Sequence, residues 1–181
     1  MRKELFVHFA FLISFFVLVS LFKKWISLSY WPFWVGGILG TILPDVDHFI
    51  YVYFMNPQEL TSQRVNSLMQ NKDLIGSLNL LADTKYERSG FIFHTTFFQS
   101  IFFVLTFLVV SSSGSLFGRG LVLAFSLHLV IDQFVELMQT GSLTNWTQRI
   151  NFPPIAGLEK EKVVLYWAGA LILVLIFGFL L

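Results

Sequence analysis

Five stretches of 18 to 26 residues, each without a single Lys or Arg, divide this chain: 5–22, 30–55, 91–111, 120–139 and 163–181. A membrane-spanning helix needs about 20 mostly apolar residues. The expected fold is therefore all-α, an integral membrane bundle of about five transmembrane helices with a polar, amphipathic cytoplasmic insertion. Residues 1–181 form one membrane-embedded domain in this reading. The charge content agrees, because 13% charged residues fall well short of the roughly one-quarter found in soluble domains. The 22 Phe and a mean hydropathy of +0.70 exceed what one small aqueous core would hold. There are no Cys, which excludes disulfide scaffolds, thiolate zinc sites and Cys nucleophiles. Twelve basic and eleven acidic residues nearly cancel, so no basic stripe points to nucleic acid.

Two polar segments interrupt the apolar ones. Residues 56–90 keep Leu68, Leu74, Leu78 and Leu81 among Asn, Gln, Ser, Lys and Asp. That mixture predicts one or two short amphipathic helices on the membrane surface. Residues 140–162 read as a structured loop, with Trp146 as an interfacial anchor beside Trp25, Trp31, Trp34 and Trp167. The first stretch follows Arg2-Lys3 but is not followed by a small-residue cleavage site, and reads as a retained helix. With the N-terminus in the cytoplasm, nine basic residues face inward against Lys23, Lys24 and Arg119 outside. The positive-inside rule favours that orientation in a cell (inner or plasma) membrane.

The apolar stretches carry His8; Asp45, Asp47 and His48; His94; and His128, Asp132 and Glu136, which include every His in the chain. Ionisable groups in hydrocarbon are costly, and mark function by default. Four acids sit with four imidazoles and no intramembrane Lys or Arg; if the acids are ionised, protonated His or metal ions must neutralise them, and neutral His with carboxylate is a natural ligand set for a divalent metal. Depth adds to this. His8 and His94 fall three residues into ascending helices, about 5 Å deep, and His48 and Asp132 seven residues from the ends of descending ones, about 10 Å deep. Alternating direction thus gathers all four into one leaflet. His128 and Asp132, at i and i+4, share a helical face, and Glu136 extends it. Pro44 loosens the helix so that Asp45 and Asp47 need not diverge. Gly36, Gly37 and Gly40 allow close helix packing just before them. Taken singly, each His is more often a hydrogen-bonded interior residue than a ligand; together, at one depth, they point to a metal or proton-relay site.

These elements resemble the LexA-regulated, membrane-bound metal-dependent hydrolase family, also called YdjM-like. The shared features are the early His8, Leu43-Pro44-Asp45-Val46-Asp47-His48, the Arg88, Gly90, His94 and Thr95 segment, and His128 with Asp132. A loop with Trp146, Arg149 and Pro153 is also similar. The family's third motif usually reads His-Arg-Gly-x-Thr-His-Ser, and its first His is absent here. The resemblance implies a metal-dependent hydrolase, distantly similar to helical zinc phosphoesterases.

The expected site has His8, Asp45, Asp47, His48, His94, His128 and Asp132 as metal ligands for one to three divalent ions, zinc first. Asp45 or Glu136 is the expected general base for water attacking a phosphoester. Arg88 and Arg149 are surface or headgroup residues whose functional role would be binding substrate phosphate. A site at headgroup depth suits a lipid or lipid-linked substrate, with membrane lipid as the partner. The alternative is a divalent-cation or proton transporter using the same residues, which predicts ionisable groups through the whole membrane depth. A scaffold with interhelical polar glue is the third reading.

Overall fold

The computed structural model describes residues 2–84, 88, 90–148, 150 and 152–180, with side chains from Phe6 onward. Among these residues there are helices and no strands, as the apolar pattern predicts. The helices are α1 (Arg2–Phe22), α2 (Trp31–Ile42), α3 (Val46–Ile50), α4 (Leu60–Gln70), α5 (Leu74–Asp83), α6 (Thr96–Ser112), α7 (Leu116–Thr140), α8 (Thr144–Thr147) and α9 (Lys160–Leu180).

Pro44 explains why the second apolar stretch is not one α-helix. It lacks an N–H and its ring crowds the preceding turn, so Leu43–Asp45 tightens into a 3-10 turn between α2 and α3. A π-helical turn, Tyr51–Met55, ends the run. The third stretch starts later than its apolar pattern suggests. Thr95 is the N-cap of α6, its Oγ1 accepting from Phe98 N–H at 3.2 Å, so residues 91–94 precede the helix. The helix α7 ends where Gly141 takes a left-handed conformation, φ 74°, which favours Gly. The polar segment 56–90 does form two short helices, α4 and α5, which pack through Val65 and Leu81 against Val52 and Phe49.

The helix α7 lies at the centre, packed by α1, α2, α6 and α9. Its contact with α2 is the most extensive in the molecule, and the glycines make it possible. A Cβ on Gly36 or Gly40 would fall on the carbonyl oxygens of Phe117 or Leu121, and one on Gly120 on that of Phe33. Small residues let the two backbones touch. Deeper in the bundle, the fully buried amides of Gln99 and Gln133 exchange hydrogen bonds of 2.8 and 3.1 Å, and Tyr166 Oη donates to Gln99 Oε1 at 2.9 Å. This ties α6, α7 and α9 together without leaving either amide unsatisfied.

Among the described residues, α7 and α9 are long and apolar enough to cross a membrane. The outer face of α9 exposes Leu165, Ile172 and Ile176, and α6 exposes Ile101, Val104 and Leu108. Contiguous apolar surface of this kind marks a lipid or protein contact.

Candidate metal centre

Four separate elements deliver the polar side chains to one place. On α7, His128 and Asp132 stand one turn apart, with Nε2 to Oδ2 at 2.9 Å. The first helix brings His8 Nε2 to 3.2 Å from Asp132 Oδ1. The segment before α6 brings His94 Nε2 to 3.0 Å from Asp132 Oδ2. The Pro44 turn brings Asp45 Oδ1 to 3.7 Å from His128 Nε2. Asp132 is thus the hub of three imidazoles. Two overlapping groups could hold a metal ion, His8 with His128 and Asp132, and Asp45 with His94 and His128. In each, the ligating atoms lie within 4.8 Å of one another.

The donor set fits a divalent ion on three grounds. Four ligands at 2.0–2.1 Å from zinc would stand about 3.3 Å apart at the edges of a tetrahedron, and the separations here, 2.9 to 3.7 Å, straddle that value. His128 is buried with Nε2 in ion-pair range of Asp132 and Asp45, while its Nδ1 has no hydrogen-bond partner among the described residues. Buried polar groups are seldom left so. Finally, Asp47 sits at the far nitrogen of His94, 3.3 Å from Nδ1. A proton held there fixes the tautomer that turns the Nε2 lone pair toward Asp132, the arrangement by which carboxylates orient metal-binding imidazoles.

Asp47 has a second task that the sequence does not announce. Fully buried, it accepts hydrogen bonds from the backbone N–H groups of Ile92 (3.1 Å), Phe93 (2.6 Å) and His94 (3.3 Å). Its carboxylate therefore shapes the segment that carries His94, and it stands outside both potential ion-holding groups. Asp47→Asn keeps the shape but presents an amide where these N–H donors need an acceptor. Zinc affinity is expected to fall about 10- to 100-fold, measured by calorimetric titration; an unchanged affinity would remove Asp47 from the centre.

His48 also stands outside both groups. Its ring stacks at 5.7 Å on His94 and meets Phe91 edge-on at 4.7 Å. Arg88, expected at the surface, is 2% exposed. Its guanidinium donates to the Leu81 carbonyl, lies 3.4 Å from His48 Nδ1 and sits 6.0 Å from the Phe91 ring centre. Arg149, together with Glu87 and Ser89 of the same motifs, lies outside the described residues.

Trp146 is the residue that sequence reasoning misplaced. Read as an interfacial anchor, it is 2% exposed. Its Nε1–H donates to Glu136 Oε2 at 3.1 Å, and its ring packs edge-on against His94 at 5.6 Å. An Asn-Trp-Thr triplet in a polar loop carries no signal for that contact.

Apart from the fully buried Asp47, the described groups border one cavity of about 440 Å³. His8, Asp45, His48, Arg88, His94, His128, Asp132 and Glu136 line its polar end, and the rest of the wall is mainly apolar. Its described lining residues carry three carboxylates against one guanidinium, leaving two negative charges among them when the imidazoles are neutral. One divalent cation would neutralise that pair. Comparison with known proteins adds no relative: no family model, no curated protein and no solved structure matches this chain.

Proposed function

We propose that this chain is a multi-pass membrane hydrolase of the YdjM-like kind, holding divalent metal, zinc first, among His8, Asp45, His94, His128 and Asp132. The five apolar stretches cross the membrane in this reading, with the N-terminus and the centre on the cytoplasmic side. The observation that carries it is Asp132, with three imidazole nitrogens from three elements within 3.2 Å of its carboxylate. Such an ion supplies Lewis-acid activation of water and polarisation of a phosphoryl oxygen near neutral pH.

The protein's own groups do the rest. Arg88 presents the one guanidinium among the cavity's described lining residues, suited to a phosphate oxygen. Asp45 is within ligand range of His128, whereas Glu136 lines the cavity outside both ion-holding groups. Glu136 is therefore the better general base. It takes a proton from water as the new P–O bond forms and the ester P–O bond breaks, and that proton passes to the departing alcohol oxygen. Trp146 and Asn145 hydrogen-bond the Glu136 carboxylate and hold it at the cavity wall.

Glu136→Gln tests the assignment. Phosphoester hydrolysis by the zinc-loaded protein is expected to fall about 100- to 10,000-fold with zinc content unchanged. Loss of zinc along with activity would make Glu136 a ligand instead. Failure of wild-type protein to hydrolyse any phosphomonoester or phosphodiester, lipid or soluble, would overturn the hydrolase.

A further inference from the structure

We propose that the cavity is open sideways to the bilayer, between α3 and α5, and that this gap takes an acyl chain of a phospholipid whose phosphate lies at Arg88 and the His/Asp cluster. Three apolar residues carry the inference. Ile42, Val46 and Leu78 line the cavity and are 47%, 39% and 40% exposed. Lining side chains that stay this accessible fit the rim of an opening. Behind the rim, Phe49 and the buried Leu81 continue the apolar wall inward toward Arg88.

The two ends of the cavity differ in chemistry. One side carries the charged, ligand-rich groups; the other is lined mainly by apolar side chains, with Thr41 among them. A small soluble phosphoester would satisfy the first and leave the second wetted. An amphiphile satisfies both, because burial of chain methylenes is favourable wherever water is displaced from apolar walls. The volume, about 440 Å³, falls in the ordinary range for ligand sites, about 300–1,000 Å³, enough for a headgroup and the upper part of a chain. The opening is also continuous with apolar outer surface on both sides. Ile38 and Leu39 are exposed on α2, and Leu74 and Ile75 on α5. A chain leaving the cavity therefore passes onto a surface already suited to lipid.

This inference takes its polar end from the phosphoester reading, so the test separates the two. Full-length protein is placed in phosphatidylcholine nanodiscs with a phosphatidic acid carrying a diazirine on its acyl chain, irradiated, and mapped by peptide mass spectrometry. Label is expected on the α3 and α5 peptides, reduced at least tenfold by excess phosphatidic acid and not by glycerol 3-phosphate. The double variant Val46→Trp/Leu78→Trp fills the gap at partly exposed positions. It is expected to lose that label at least tenfold while keeping its zinc and the uncompeted label at Leu165. Label on α3 and α5 no stronger than at Leu165, or equal competition by glycerol 3-phosphate, would overturn the acyl site. Competed label on a protein that takes up no zinc would leave the acyl site standing and overturn the metal hydrolase.

Discussion

Asp132→Ala is expected to empty the metal centre, lowering zinc affinity by more than about 100-fold, the upper end of what loss of a merely supporting partner costs. The reason is its position. One carboxylate oxygen serves His8 and the other both His94 and His128, so its loss removes a ligand and also the group that orients three rings from separate elements. Stability should report the same event. Wild-type protein in detergent with zinc at about 100 times its dissociation constant gains about 2.7 kcal/mol from mass action, and its melting temperature should rise accordingly. Asp132→Ala should melt at one temperature with or without zinc. A variant that still binds zinc stoichiometrically and still responds in its melting curve would show that Asp132 is only an ion-pair partner of the imidazoles.

The second large effect lies outside the site, at the α2–α7 seam. Gly40→Val places a Cβ on the Leu121 carbonyl oxygen and within 3.0 Å of the Ala124 Cβ. Backbone carbonyls of a packed helix cannot swing aside, so the helices must separate. Overpacking costs typically about 1–3 kcal/mol, and the backbone contact puts this case at the upper end. Function should fail with stability, because α2 leads directly into the turn carrying Asp45 while α7 carries His128 and Asp132. A Gly40→Val protein should therefore melt lower and hold zinc more weakly, whereas Gly169→Ala, with nothing within 4 Å of its added Cβ, should do neither. Wild-type melting and zinc affinity in Gly40→Val would mean that the seam does not set the centre's geometry.

Much of this arrangement is legible before any coordinates. Long apolar runs place the helices, and glycines at 36 and 40 mark where one helix touches another. Helices that alternate in direction return to the same end, and His8 and His94 do meet Asp132, with His48 stacked beside His94. What periodicity cannot show is where a helix yields to a loop inside an apolar run. His94 reaches the cluster from a bent, non-helical segment, and only the capping Thr95 hints at that boundary. Roles that depend on tertiary contact are equally hidden. Asp47 is indistinguishable in sequence from a ligand, although its oxygens receive three backbone N–H groups. Trp146 and Arg88 carry residue types common at interfaces, yet both are buried against the centre. Such assignments depend on which groups a folded backbone leaves needing a partner, and local pattern does not encode that.

The most direct test of the central claim is X-ray absorption fine structure at the zinc edge, on tag-free protein loaded with one equivalent of zinc. The account predicts nitrogen and oxygen ligands at about 2.0–2.1 Å, with outer-shell scattering from at least two imidazoles, both reduced in Asp132→Ala. A shell of oxygen alone without imidazole scattering, or no zinc retained after desalting, would contradict it and leave the clustered His and Asp residues to a proton relay or a transport pathway.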